Sequence, residues 1–111
     1  MNWIPLSNEA ELVKINELSF SSPQVIFKHS TRCSISGMAK SRLERSNDPN
    51  NIGFHLLDLL KCRSLSNKVA QDYDISHESP QILIIINGKC VYHESHSGID
   101  MTGIVSHAKA A

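Results

Sequence analysis

The segment Cys33-Ser34-Ile35-Ser36 places one thiol three residues before a hydroxyl. A cysteine thiolate attacks a disulfide sulfur, and the mixed disulfide that results is resolved internally only if a second thiol lies within reach. Ser36 cannot form a disulfide, so the spacing predicts monothiol chemistry. Cys33 is the candidate nucleophile, holding one half of its substrate until another thiol arrives. Ser36 is expected over the same face of a first helical turn, offering its hydroxyl to the sulfur. Arg32 beside the cysteine and Lys28 upstream are candidate tuning charges, because cationic neighbours favour the thiolate. His29 is a candidate for a supporting role, by hydrogen bonding or tuning, with a histidine simply satisfied within the sheet as an equal alternative. Ser30, Thr31, Arg32 and Ser34 are all polar, which speaks against a cysteine that only fills space in a core.

Such a thiol needs elements to position it. Gln24-Val25-Ile26-Phe27-Lys28-His29 has the β-branched and aromatic content of a strand. From Ser34 to about Arg45 the pattern turns helical, with Ile35, Met38, Ala39 and Leu43 as the expected inward stripe. Cys33 therefore falls between the end of a strand and the start of a helix, where backbone N–H groups lack intrahelical partners and the helix dipole is positive. Both favour an anion.

The remaining elements follow from the same signals. A first helix is expected over about residues 8–19, with Leu12, Ile15 and Leu18 at helical spacing. Asn47-Asp48-Pro49-Asn50-Asn51 ends the second helix, and Ile52 to Leu60 is apolar enough for a strand buried on both faces. A helix over Ser64–Tyr73 carries Leu65, Val69 and Ala70 inward, with Ser64 or Ser66 near its start. Pro80 leads into the strand Gln81–Ile86, Asn87-Gly88 is a two-residue hairpin turn, and Lys89–Ser95 returns antiparallel. A last helix is expected from about Asp100 to Ala110. The order is βαβ followed by ββα, an open α/β sheet with helices on both faces. A right-handed crossover makes the first two strands parallel neighbours, and the working edge lies at their carboxyl ends.

Length and composition narrow the function classes. One domain over residues 1–111 is expected, since 111 residues suffice for one core. Eleven basic residues balance eleven acidic ones, which leaves no electrostatic footprint for nucleic acid or an acidic membrane surface. No apolar run approaches the length of a membrane span, and the N-terminus lacks a basic-then-apolar leader, so a cytoplasmic protein is expected. Its three cysteines form no regular framework. Cys62 follows the second strand on the same edge as Cys33 and is read as structural, with a resolving role the less favoured alternative. Cys90 is read as packing. Cys90, His93 and His96 do not make a metal site, because alternation along a strand turns His93 away from the other two. His55, His77 and His107 are read as structural or solvated. No metal and no cofactor are expected.

The run Phe27-Lys28-His29-Ser30-Thr31-Arg32-Cys33-Ser34-Ile35-Ser36 resembles the active-site segment of the YtxJ-type monothiol bacilliredoxin family of the bacillithiol system. His77-Glu78-Ser79-Pro80-Gln81 resembles that family's segment before its third core strand, and the likeness, including Trp3 and the closing helix, spans essentially the whole chain. The resemblance implies a thioredoxin-like fold: βαβ plus ββα with an extra N-terminal helix, a four-stranded mixed sheet flanked by helices. It implies an oxidoreductase in which Cys33 takes bacillithiol from a protein mixed disulfide and is regenerated by another thiol. Bacillithiol is then a thiol co-substrate, the partners are bacillithiolated proteins, and a monomer is favoured. It also implies a cis Ser79–Pro80 bond that sets the Ser79 backbone beside Cys33. Thr31, Arg32, Ser34, Ser79 and Pro80 become the candidate substrate-binding residues. Family members often carry proline at the position of Ser34, a departure that leaves the nucleophile in place. The alternative function is a thioredoxin-fold binding protein, either an iron–sulfur cluster carrier or a redox-silent adaptor. Ser34-Ile35 stands where cluster-carrying monothiol glutaredoxins have glycine and phenylalanine, which weakens the first.

Overall fold

The computed structural model describes residues 1–109. Its five-stranded sheet has the order β1-β3-β2-β4-β5, with β1 Ile4–Pro5, β2 Gln24–His29, β3 Gly53–Asp58, β4 Gln81–Ile86 and β5 Lys89–Ser95. Four α-helices connect and cover it: α1 Glu9–Leu18, α2 Ser34–Glu44, α3 Arg63–Tyr73 and α4 Met101–Lys109. The expected mixed sheet is present, with β2 and β3 parallel and β4 antiparallel to β2. It has one more strand than the four expected. The two-residue β1 pairs in parallel with His55 and Leu56 of β3 and is too short to show any periodicity. Ala110, where the last helix was expected to end, lies outside the described residues.

Local chemistry explains the boundaries. Asn8 caps α1 by accepting the Glu11 N–H at 2.9 Å, and the Glu11 carboxylate reaches back to the N–H of Ser7, one residue before the cap, at 2.8 Å. Asn87 and Gly88 both have positive φ, 53° and 75°, as the two-residue turn between β4 and β5 requires. Alternation along β2 divides the core between the two sheet faces. Val25 and Phe27 join Ala39 and Leu43 of α2, Ile82 and Ile84 of β4, and Ile104 of α4. Ile26 joins Leu12 and Ile15 of α1, Leu65 and Val69 of α3, and Leu83 and Ile85 of β4.

Two helix faces differ from expectation. On α2 the buried positions are Ser36, Ala39 and Leu43, whereas Ile35 and Met38 are 51% and 63% exposed. Residues 36, 39 and 43 share one face of a 3.6-residue helix. With Ala39 and Leu43 facing the sheet, Ile35 and Met38 are carried around to solvent. On α3 the N-cap is Cys62, without a side-chain cap bond, and Ser66 is a buried interior residue.

Candidate active site

The carboxyl ends of β2 and β3 are joined by a hydrogen bond from Leu59 N–H to His29 C=O at 2.9 Å. Beyond this edge the chain enters α2 through Ser30-Thr31-Arg32-Cys33. Cys33 is the N-cap of α2, with extended φ and ψ of −103° and 118°. Its N–H donates to Ser30 C=O at 3.2 Å, and its carbonyl accepts the Gly37 N–H at 3.0 Å, the first helical bond. The thiol is half-buried and free, between exposed Arg32 and exposed Ser34, with Thr31 also exposed. Its side chain makes no cap hydrogen bond. The unpaired N–H groups of the first turn and the positive end of the helix dipole are thus available to an anionic sulfur.

Ser36 is fully buried, and its hydroxyl is not offered to the sulfur as expected. It accepts the Ser30 N–H at 3.0 Å and lies 2.6 Å from His29 Nδ1. All three groups are satisfied when the hydroxyl donates to Nδ1 and the neutral imidazole carries its proton on Nε2. That form agrees with the lowered pKa of His29, whose main cause is burial, followed by the charge of Lys40, against the opposing carboxylates of Asp58 and Glu44. Phe27 stacks on the same ring at a centroid distance of 5.7 Å. Ser36 and His29 therefore brace the turn that presents Cys33.

The third side of the edge is the segment before β4. The Ser79–Pro80 peptide bond is cis, as the resemblance implied. Pro80 is buried, and its carbonyl accepts the His96 N–H at 3.1 Å. Ser79 lies just outside the β2–β4 ladder, whose end pair is Lys28 with Gln81. Its Oγ is buried without a hydrogen-bond partner.

Lys28 is not beside the thiol in the way expected. It is 0% exposed and, by alternation from Phe27 and His29, lies on the sheet face that packs against α1 and α3, opposite to α2. Its Nζ donates to His77 Nδ1 at 3.2 Å. Burial pushes its pKa down to about 8. His77, read from sequence as structural or solvated, is thus a partner of the strand, with the hydroxyl of buried Ser66 3.3 Å from the same nitrogen. The missed signal was a lysine inside an apolar strand, a charge that needs a partner.

Cys62 N-caps α3 as Cys33 N-caps α2, and both it and Cys90 are free thiols. Cys90 is half-buried, its thiol donating to Tyr92 C=O at 3.3 Å, and burial pushes its pKa up. His55 is buried and donates from Nε2 to Gln24 Oε1 at 2.7 Å. Among the described residues no three of His, Cys, Asp and Glu come close enough to hold a metal ion. No described helix is long and apolar enough to cross a membrane.

Solved structures share the fold. One, assigned provisionally as an oxidoreductase with a thioredoxin fold, is 26% identical with a TM-score of 0.79, over 94% of this chain and 91% of its own. The thioredoxin of Malassezia sympodialis is 15% identical with a TM-score of 0.75, over 98% and 90%. That of Trypanosoma brucei brucei is 13% identical with the same TM-score, over 98% and 88%. These last two show the thioredoxin fold alone. The family model for the monothiol bacilliredoxin BrxC matches residues 4–104, from β1 into α4. The chain therefore belongs to the monothiol bacilliredoxin family, thioredoxin-fold proteins with a monothiol thiol–disulfide redox role.

Proposed function

We infer that the protein removes bacillithiol from mixed disulfides on other proteins, with Cys33 as the nucleophile. The observation that carries this reading is a half-buried cysteine at the N-cap of α2 whose i+3 partner is a buried serine already hydrogen-bonded elsewhere. In the first step the Cys33 thiolate attacks the bacillithiol sulfur of the protein mixed disulfide. The new S–S bond joins Cys33 to bacillithiol, and the protein sulfur leaves as a thiolate that takes a proton from water. In the second step an external low-molecular-weight thiolate attacks the bacillithiol sulfur, forms a new S–S bond to it and releases Cys33 as thiolate, so the disulfide passes from the protein to the pair of small thiols. No internal thiol competes from position 36. Thr31, Arg32 and Ser34 form the exposed rim of the thiol, and the main chain of Ser79, next to the cis proline, is the edge for an extended substrate segment.

The family and the two quoted motifs support bacillithiol as the favoured thiol. Its test compares one single-cysteine protein loaded with bacillithiol and the same protein loaded with glutathione. The bacillithiol form should be cleared faster by the wild-type chain, and Cys33→Ser should abolish clearance of both. Equal rates on both forms would remove the bacillithiol specificity, and clearance by Cys33→Ser would remove the mechanism.

A further inference from the structure

The end rung of the β2–β4 ladder pairs Lys28 with Gln81. Residues directly opposite one another on an antiparallel pair share a sheet face, and both of these are fully buried or nearly so, at 0% and 1% exposure. Two buried polar side chains at the end of a ladder carry a desolvation cost that leucine or methionine would avoid. Each is turned to the same stretch before β4. The Gln81 amide donates to Ser76 C=O at 3.0 Å and accepts the Glu78 N–H at 3.3 Å. Lys28 Nζ donates to His77 Nδ1, with Ser66 of α3 behind the same nitrogen. His96 N–H holds the carbonyl of Pro80. The segment from Ser76 to Pro80 has no regular secondary structure, so these side-chain bonds do the work that a ladder does elsewhere.

We propose that Lys28 is a positioning residue for the protein substrate: a buried strut that acts through His77 to hold the Ser76–Pro80 segment, and so sets the edge along which the chain carrying the mixed disulfide is laid. The proposal rests on the substrate edge described under Proposed function. It differs from a direct charge effect on the thiol, because Lys28 sits on the α1 and α3 face of the sheet whereas Cys33 opens α2 on the other. Lys28 has no acceptor atom when protonated, so His77 must present a bare Nδ1 and keep its proton on Nε2. The charged groups facing His77, Lys28 and Arg63, work with burial to keep its pKa low, against Glu78.

The test uses Lys28→Met, which keeps the apolar stem, and His77→Ala, at an exposed position, each first shown to keep the wild-type circular dichroism spectrum. Transfer from a single-cysteine protein loaded with bacillithiol should show KM raised about tenfold in each variant, the effect of losing one charge-assisted hydrogen bond. The double variant should be no worse than either single one. Alkylation of Cys33 by iodoacetamide should keep its wild-type rate. Alkylation slowed in step with transfer, or additive losses, would overturn the strut in favour of a direct effect on the thiol. Amide hydrogen exchange over Ser76–Ser79, which needs no substrate, should quicken in both variants. Unchanged exchange would overturn the strut even if transfer fell. Quickened exchange in a protein whose wild type transfers no bacillithiol would support the strut and refute the substrate reading instead.

Discussion

Ser36→Ala separates the two roles open to the residue three positions after the thiol. If the hydroxyl served the sulfur, its loss would slow Cys33 and leave the fold intact. The bonds in the structure predict the reverse emphasis. The substitution leaves the Ser30 N–H and His29 Nδ1 without the oxygen that now lies 3.0 and 2.6 Å from them. Ser30 is only half-buried and can recover water, while His29 is buried. One buried group left unpaired and one weakened bond cost about 2 kcal/mol. With an unfolding entropy of about 2.1 cal/mol/K per residue over 111 residues, that lowers Tm by about 9 °C. The assay is thermal unfolding followed by circular dichroism at about pH 7.5, near neutrality where the His29 ring is uncharged, paired with the rate of Cys33 alkylation. A Tm change below about 2 °C, or less than ~0.5 kcal/mol on the same scale, together with strongly slowed alkylation, would refute the bracing role.

Further outcomes follow from the same geometry. Ser36→Cys supplies the missing second thiol within one helical turn of Cys33. A bacillithiol adduct should then be released as Cys33 closes a disulfide with the introduced thiol, visible as loss of the adduct and of two hydrogens; a persistent adduct would contradict it. Burial lowers the pKa of His55 to about 4, with Glu11 opposing. The unfolded chain then binds the extra proton below about pH 6.5, and stability should fall between about pH 6.5 and pH 4 by on the order of 3 kcal/mol. Urea unfolding across that range should show a shallower slope in His55→Gln, and an unchanged slope would assign the acid loss to other groups. Gly88 has φ of 75°, and an added Cβ would lie 3.0 Å from Phe20 Cζ. Gly88→Ala should therefore cost about 1–2 kcal/mol, read as a lower urea midpoint at unchanged m-value, and a neutral result would contradict the turn geometry.

Where hydrophobic pattern and turn chemistry agree, the sequence was sufficient. Gln24–His29 and Gln81–Ile86 stand at the expected residues because their apolar runs are bounded by Pro23 and Pro80, and Lys89–Ser95 does so because the Asn87-Gly88 turn returns the chain. The parallel pairing of β2 with β3 follows from the crossover, and it brings Cys33 to the sheet edge as a helix N-cap. What escaped depends on three-dimensional context. Strand β1 exists only through pairing with His55 and Leu56. The inward face of α2 includes a serine in place of the expected Ile35 and Met38, since its phase follows from packing against β2 and not from apolarity. Lys28 shows the difference most sharply. Its proximity to Cys33 in sequence suggested a charge beside the thiol, but strand alternation sends it through the sheet to a histidine 49 residues away.

Locating the adduct tests the central claim most directly. After incubation with an excess of a bacillithiolated protein and quenching with an alkylating agent, trypsin cleaves after Arg32, Lys40, Lys61 and Lys89, so Cys33, Cys62 and Cys90 fall in separate peptides. Mass spectrometry should find bacillithiol in mixed disulfide on the peptide Cys33–Lys40, with Cys62 and Cys90 alkylated. Bacillithiol on Cys62 in place of Cys33, or on no peptide while the substrate keeps its modification, would contradict the account.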